Sequence, residues 1–140
     1  MSSERSGDDG LPHIPVSWGE LVDKVTILEI KVRRLASEAA RANVRKELDL
    51  LAAILADDIV EKVRVLKEKL TAVNERLWTI EDDIRVKESR GEFDAEFIAL
   101  ARAVYIENDE RAAIKRAINV LLSSQLTEEK SYAPYRQGNG

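Results

Sequence analysis

Residues 63–90, VRVLKEKLTAVNERLWTIEDDIRVKESR, constrain this chain more than any other stretch. Val63, Leu66, Leu70, Val73, Leu77, Ile80 and Ile84 recur at alternating steps of three and four, the seam of a long helix packed on other helices. Beside the seam runs a second stripe, Asn74, Trp78, Glu81 and Arg85, polar except for its indole. A helix that only held a bundle together would have little use for polar groups so close to its core.

The remaining segments supply the partners. Ser17 with Glu20 three residues later forms a capping box, so a first helix begins at Trp18. Its core stripe is Leu21, Val25, Leu28, Val32 and Leu35, and we expect it to run to about residue 40. Asp23, Thr26, Ile27 and Ile30 form a shoulder that can meet a neighbouring helix, while Lys24, Glu29, Lys31 and Arg33 suit a solvated face. Asn43 caps a short second helix with Val44, Leu48, Leu51 and Leu55 as its apolar face. Asp57-Asp58 followed by Glu61 marks a stop and a new cap, although a kinked but continuous helix fits the same residues. The third helix then covers 59–90, about 48 Å at about 1.5 Å per residue, and Gly91 supplies its left-handed end.

Asp94 caps a fourth helix reaching residue 123 or 125, with Phe97, Leu100, Ala101, Val104, Ile114, Ile118, Leu121 and Leu122 on its buried face. The middle of that face is interrupted by Glu107, Asn108, Asp109, Glu110 and Arg111. Two long helices joined by a short turn form an antiparallel hairpin. A turn centred near 92–93 sets Asn74 opposite Arg111, Leu77 opposite Asn108, Trp78 opposite Glu107 and Glu81 opposite Val104. Both polar interruptions therefore fall at one level, with Trp78 and Tyr105 beside them. The fold class that follows is all-α, an antiparallel helical bundle of three long helices and one short one built on the helix-three/helix-four hairpin.

Composition narrows the function. The chain has 140 residues, a formal net charge of −4, one histidine and no cysteine. Thiol chemistry and thiolate metal sites are excluded, and a lone His13 builds neither a His-rich metal site nor a Ser-His triad. No basic arm or patch calls for nucleic acid. No apolar run approaches the ~20 residues that span a bilayer. Residues 1–14 read as a disordered polar tail rather than a signal peptide, 15–132 as one helical domain, and 133–140 as a flexible end. Tyr132 and Tyr135 read as anchors able to pack back on the bundle. The expected setting is cytoplasmic. Phosphate-loop motifs are absent. Glu81, Asp82, Glu107 and Glu110 are the carboxylates that a Mg²⁺-dependent nucleotide hydrolase would use, but such pairs also arise by chance on charged helix faces.

The blocks PVSWGELVDKVTILEIK (15–31), NERLWTIEDDIRVKE (74–88), FIALARAVYIENDERAAIKRAIN (97–119) and EEKSY (128–132) carry a further signal. Together they resemble an uncharacterised bacterial family of short helical proteins, a domain of unknown function. The resemblance implies an association with sugar-transfer and surface-polysaccharide loci and carries over no catalytic residue or cofactor.

Three readings follow. The first is a non-enzymatic interaction or accessory module, self-associating or bound to another protein and linked to glycan assembly, with no membrane insertion. The second is a small-ligand site at the polar layer. Asn74, Trp78, Glu81, Arg85, Asn108, Arg111 and Lys115 are its candidate residues, and its arginines and lysine suit an anionic or nucleotide-sugar compound. The third is the Mg²⁺-dependent hydrolase. A polar layer that only fixes helix register is the structural alternative to any site.

Overall fold

The computed structural model describes residues 9–123. Those residues form four helices and no strand: α1 (Trp18–Arg34), α2 (Glu38–Ala52), α3 (Asp57–Arg90) and α4 (Ala95–Leu121). Two helices are long, 34 and 27 residues, and two are short, 17 and 15 residues, so the expected set of three long helices and one short one is corrected at α1. The turns and caps explain why.

Ser17 caps α1 as expected, its hydroxyl accepting from the Glu20 backbone N–H at 3.1 Å. The helix stops at Arg34, six residues early, because Leu35 turns to an extended conformation (ψ 137°). Ser37, rather than Asn43, then caps α2 by accepting from the Ala40 N–H at 3.2 Å. Arg41 fastens the corner, donating to the carbonyls of Leu35 at 2.6 Å and Ala36 at 3.0 Å. Helices α2 and α3 are separate. Ala56, with no side-chain cap, precedes α3, and Asp57 and Asp58 lie in its first turn, where carboxylates oppose the positive end of the helix dipole.

The α3–α4 turn follows the sequence closely. Gly91 takes the left-handed conformation (φ 64°) that glycine adopts without steric cost. Asp94 accepts from the Phe97 N–H at 2.9 Å. Lys87 meets Glu96 at 2.7 Å and Asp94 at 2.9 Å beside the turn, and Arg76 meets Glu107 at 3.0 Å about three turns further along. The Phe97 N–H, helped by Lys87, holds the Asp94 carboxyl below its ordinary value of 3.8. A carboxyl lowered in the folded state stabilises above its unfolded pKa, and that contribution is lost as pH falls through the folded value. Asparagine is also a good cap, so Asp94→Asn isolates the charge. Its difference from wild type in urea midpoint should be largest at neutral pH and fade below about pH 4. A difference independent of pH would assign the effect to the cap geometry alone.

The core centres on α1, the one helix that packs against each of the other three. Its Leu21, Val22 and Val25 join Leu55, Val63, Leu70 and Ile118 in the main buried cluster. α1 runs across the α3–α4 hairpin from one helix to the other. Gly19 sits against Lys115 of α4, Asp23 reaches both helices, and Glu29 and Arg34 pair with Lys67 and Glu75 of α3. Beyond that crossing the hairpin continues as two helices, and no side chain from 75 to 114 is fully buried.

Candidate functional site

Where α1 crosses the hairpin, six polar residues are buried: Ser17, Asp23, Thr26, Asn74, Lys115 and Asn119. Asp23 is their hub, 1% exposed. Burial of a lone carboxylate costs several kcal/mol, so it needs cations and donors around it. Arg111 supplies a two-pronged contact, Nε donating to Oδ1 at 2.9 Å and Nη2 to Oδ2. Asn74 Nδ2 donates to the same Oδ1 at 3.0 Å and to the Thr26 hydroxyl at 2.8 Å. Thr26 in turn donates to the Asp23 carbonyl at 2.7 Å. Lys115 Nζ stands 3.9 Å from Asp23 and 3.1 Å from Glu20. Glu20 therefore directs its carboxylate to α4. The two cations face two carboxylates, and no buried side-chain nitrogen or oxygen among the described residues lacks a partner.

A second contact stitches the N-terminus of α1 to α4. The Gly19 N–H donates to Asn119 Oδ1 at 2.7 Å, and the Gly19 backbone lies directly against the Lys115 carbonyl. Only a residue without a Cβ allows that approach.

Outward from this layer lies an open cleft of about 480 Å³, lined from α1 by Ile27 and Ile30 and from the hairpin by Leu77, Trp78, Asn108 and others. Six of the seven candidate residues line it: Asn74, Trp78, Glu81, Arg85, Asn108 and Arg111. Lys115 does not, being buried behind Asp23. The six divide by role. Asn74 and Arg111 are committed to Asp23, and Asn108 accepts from Arg111 at 3.3 Å while donating to its own helix at Val104. Trp78 forms part of the wall, with the Arg34 guanidinium 5.9 Å from its ring centre. Glu81 and Arg85 are exposed and face each other loosely at 3.8 Å. Tyr105 is exposed and outside the lining.

The carboxylates considered for Mg²⁺ are dispersed. Glu81 and Asp82 line this cleft, Glu107 pairs with Arg76, and Glu110 borders a different groove. No three carboxylate or imidazole groups converge as metal ligands among the described residues. His13 is exposed beside Asp9 at 3.2 Å. No described helix is long and apolar enough to cross a membrane. The expected packing of Tyr132 and Tyr135 lies outside the described residues.

Hairpin register brings Asn74 and Arg111 together but does not supply the group they serve. Asp23 is on α1, whose position no hairpin register fixes. Lys115 stands among the candidates through the 97–119 block, while Asn119 and Gly19 are legible only as a polar and a small residue beside apolar positions.

Residues 13–137 match the model of a family of unknown function (DUF6165). No curated protein and no solved structure matches the chain. The chain belongs to that family of unknown function.

Proposed function

We propose that this family member is a non-enzymatic helical interaction module, an antiparallel bundle whose long hairpin offers its faces to a protein partner. One observation carries this reading. Of the cations considered for an anionic ligand, Arg111 already serves the buried Asp23, and Lys115 lies buried behind it against Glu20, which leaves the cleft only the exposed Arg85. Drawing Arg111 to a ligand would strand the buried Asp23 carboxylate, at a cost of about 3–5 kcal/mol. The hairpin, by contrast, extends beyond α1 with apolar side chains such as Val86, Ile98 and Ile106 exposed. Helices of this kind gain stability by receiving another helix.

A small-ligand reading retains one supporting observation, the Trp78-walled cleft with Glu81, Asp82 and Arg85 on its lining. A thermal-shift panel of nucleotides, sugar nucleotides and Mg²⁺ separates the two. The module reading expects no saturable rise in melting temperature from any of them. A saturable rise of several degrees that Trp78→Ala or Arg85→Ala abolishes would overturn it and assign the cleft to a ligand.

A further inference from the structure

On the hairpin side turned away from α1, each helix carries a continuous exposed stripe. On α3 it runs Val65, Lys69, Ala72, Arg76 and on to Asp83 and Val86. On α4 it runs Val120, Ala117, Ala113, Glu110 and on to Ile106 and Arg102. Ala72 precedes Asn74 by two positions, and Ala113 follows Arg111 by two. At about 100° per residue each alanine therefore points roughly opposite the side chains that meet α1. Between the stripes lies a groove of about 520 Å³, its alanines leaving the backbone open to close approach. α2 does not cover it, since α2 packs on α1 alone.

The charges on this face identify what fits it. Lys69, Asp83, Arg102 and Glu110 are all exposed, and none has an ion-pair partner among the described residues. Each helix thus holds one cation and one anion of this set, separated along its length. The order is basic then acidic from Lys69 to Asp83, and basic then acidic again from Arg102 to Glu110. Lys69 and Asp83 lie toward opposite ends of the α3 stripe, and Arg102 and Glu110 lie at one end and near the middle of the α4 stripe, so a two-fold rotation can bring cation to anion across the face. One rotation sets Asp83 level with Arg102 of a second copy and brings Lys69 within about two helical turns of Glu110. The other sets Lys69 against Asp83 and Arg102 against Glu110. Both bring the alanine floors together.

We infer that a second copy of this chain docks on this α3–α4 face, giving a two-fold dimer of hairpins. The inference rests on the module reading and names its partner. The face is about 32 Å long from Val65 to Val86, on the order of 600 Å² for two helices side by side. That is below the roughly 800 Å² per partner of a standard stable interface, so association is weak and fills only at high protein concentration.

Sedimentation velocity of the full chain from about 1 μM to about 500 μM tests it. The mass should rise from 15.8 kDa toward twice that value. Ala113→Glu, an exposed position, should hold the chain monomeric with an unchanged melting temperature. Lys69→Glu should weaken association about tenfold, and a second reversal, Glu110→Lys or Asp83→Lys, should restore it. Which reversal restores it reports the direction of the partner. A monomer at every concentration, or a dimer indifferent to Ala113→Glu and Lys69→Glu, would overturn the self-docking. Either result leaves the module reading to the ligand panel, which can fail independently.

Discussion

Replacing Asp23 with alanine is expected to lower the free energy of unfolding by about 3–5 kcal/mol, a loss of roughly 10–20 °C in melting temperature. The carboxylate accepts from Asn74 and from two nitrogens of Arg111, with Lys115 close by. Its removal leaves a largely buried guanidinium and ammonium with one fewer anion between them, and frees an amide that Thr26 alone must satisfy. The loss therefore greatly exceeds that of an ordinary surface ion pair such as Arg64–Glu61, for which about 0–1 kcal/mol is typical. A companion variant isolates the cause. Changing Asp23 to Leu, Asn74 to Leu and Arg111 to Met together removes charge and partner alike, so it should recover most of the loss. Chemical denaturation of the three proteins measures both effects. An Asp23→Ala protein within about 1 kcal/mol of wild type would mean that the layer contributes little.

The second large effect has the opposite sign to what helix propensity alone gives. Alanine is favoured over glycine inside a helix by about 1 kcal/mol, so Gly19→Ala in an isolated α1 would stabilise it. In the folded chain the added Cβ would overlap the Lys115 carbonyl oxygen, lie 2.9 Å from that carbonyl carbon and 3.0 Å from Asn119 Oδ1. The first two are backbone atoms within α4, so relief requires α1 to move off α4. That displacement stretches the 2.7 Å bond from the Gly19 N–H to Asn119 and pulls Asp23 away from its partners. Overpacking of this kind costs about 1–3 kcal/mol, and the strained buried hydrogen bond adds to it. We expect Gly19→Ala to destabilise by about 2–4 kcal/mol in urea denaturation. Stabilisation would show that α1 and α4 are not in close contact there.

Local chemistry made much of the fold legible. Ser17, Gly91 and Asp94 each act within a few residues of their own position, through a hydroxyl, a missing Cβ and a carboxylate, and each does what its type and spacing specify. The end of α1 was not legible, because residues 33–43 are mostly good helix formers without proline or glycine. The break there depends on Ser37 and on Arg41 taking the Leu35 and Ala36 carbonyls, and on α2 packing back against α1. Which helix lies at the centre was hidden for a related reason. Apolar spacing shows that α3 has a long seam but not that α1 is enclosed by three neighbours.

For the candidate site the same division holds. The hairpin register assembled Asn74, Trp78, Glu81, Asn108 and Arg111 because both helices share one short turn. It could not supply Asp23, which arrives from a helix crossing at another angle and converts Arg111 from a candidate ligand clamp into the partner of a buried carboxylate. Lys115 entered through the 97–119 block rather than through register, and burial behind Asp23 removes it from the cleft. Arg85 and Glu81 stayed on the lining, where solvent screens both.

The most direct test of this arrangement is a double-mutant cycle between Asp23→Ala and Arg111→Ala, read by urea denaturation. If the buried pair fastens α1 across the hairpin, the double variant is about as stable as the weaker single one, with a coupling energy close to the smaller single loss, about 3 kcal/mol or more. If the two losses add to within about 0.5 kcal/mol, the residues act independently and the polar layer does not hold the helices together.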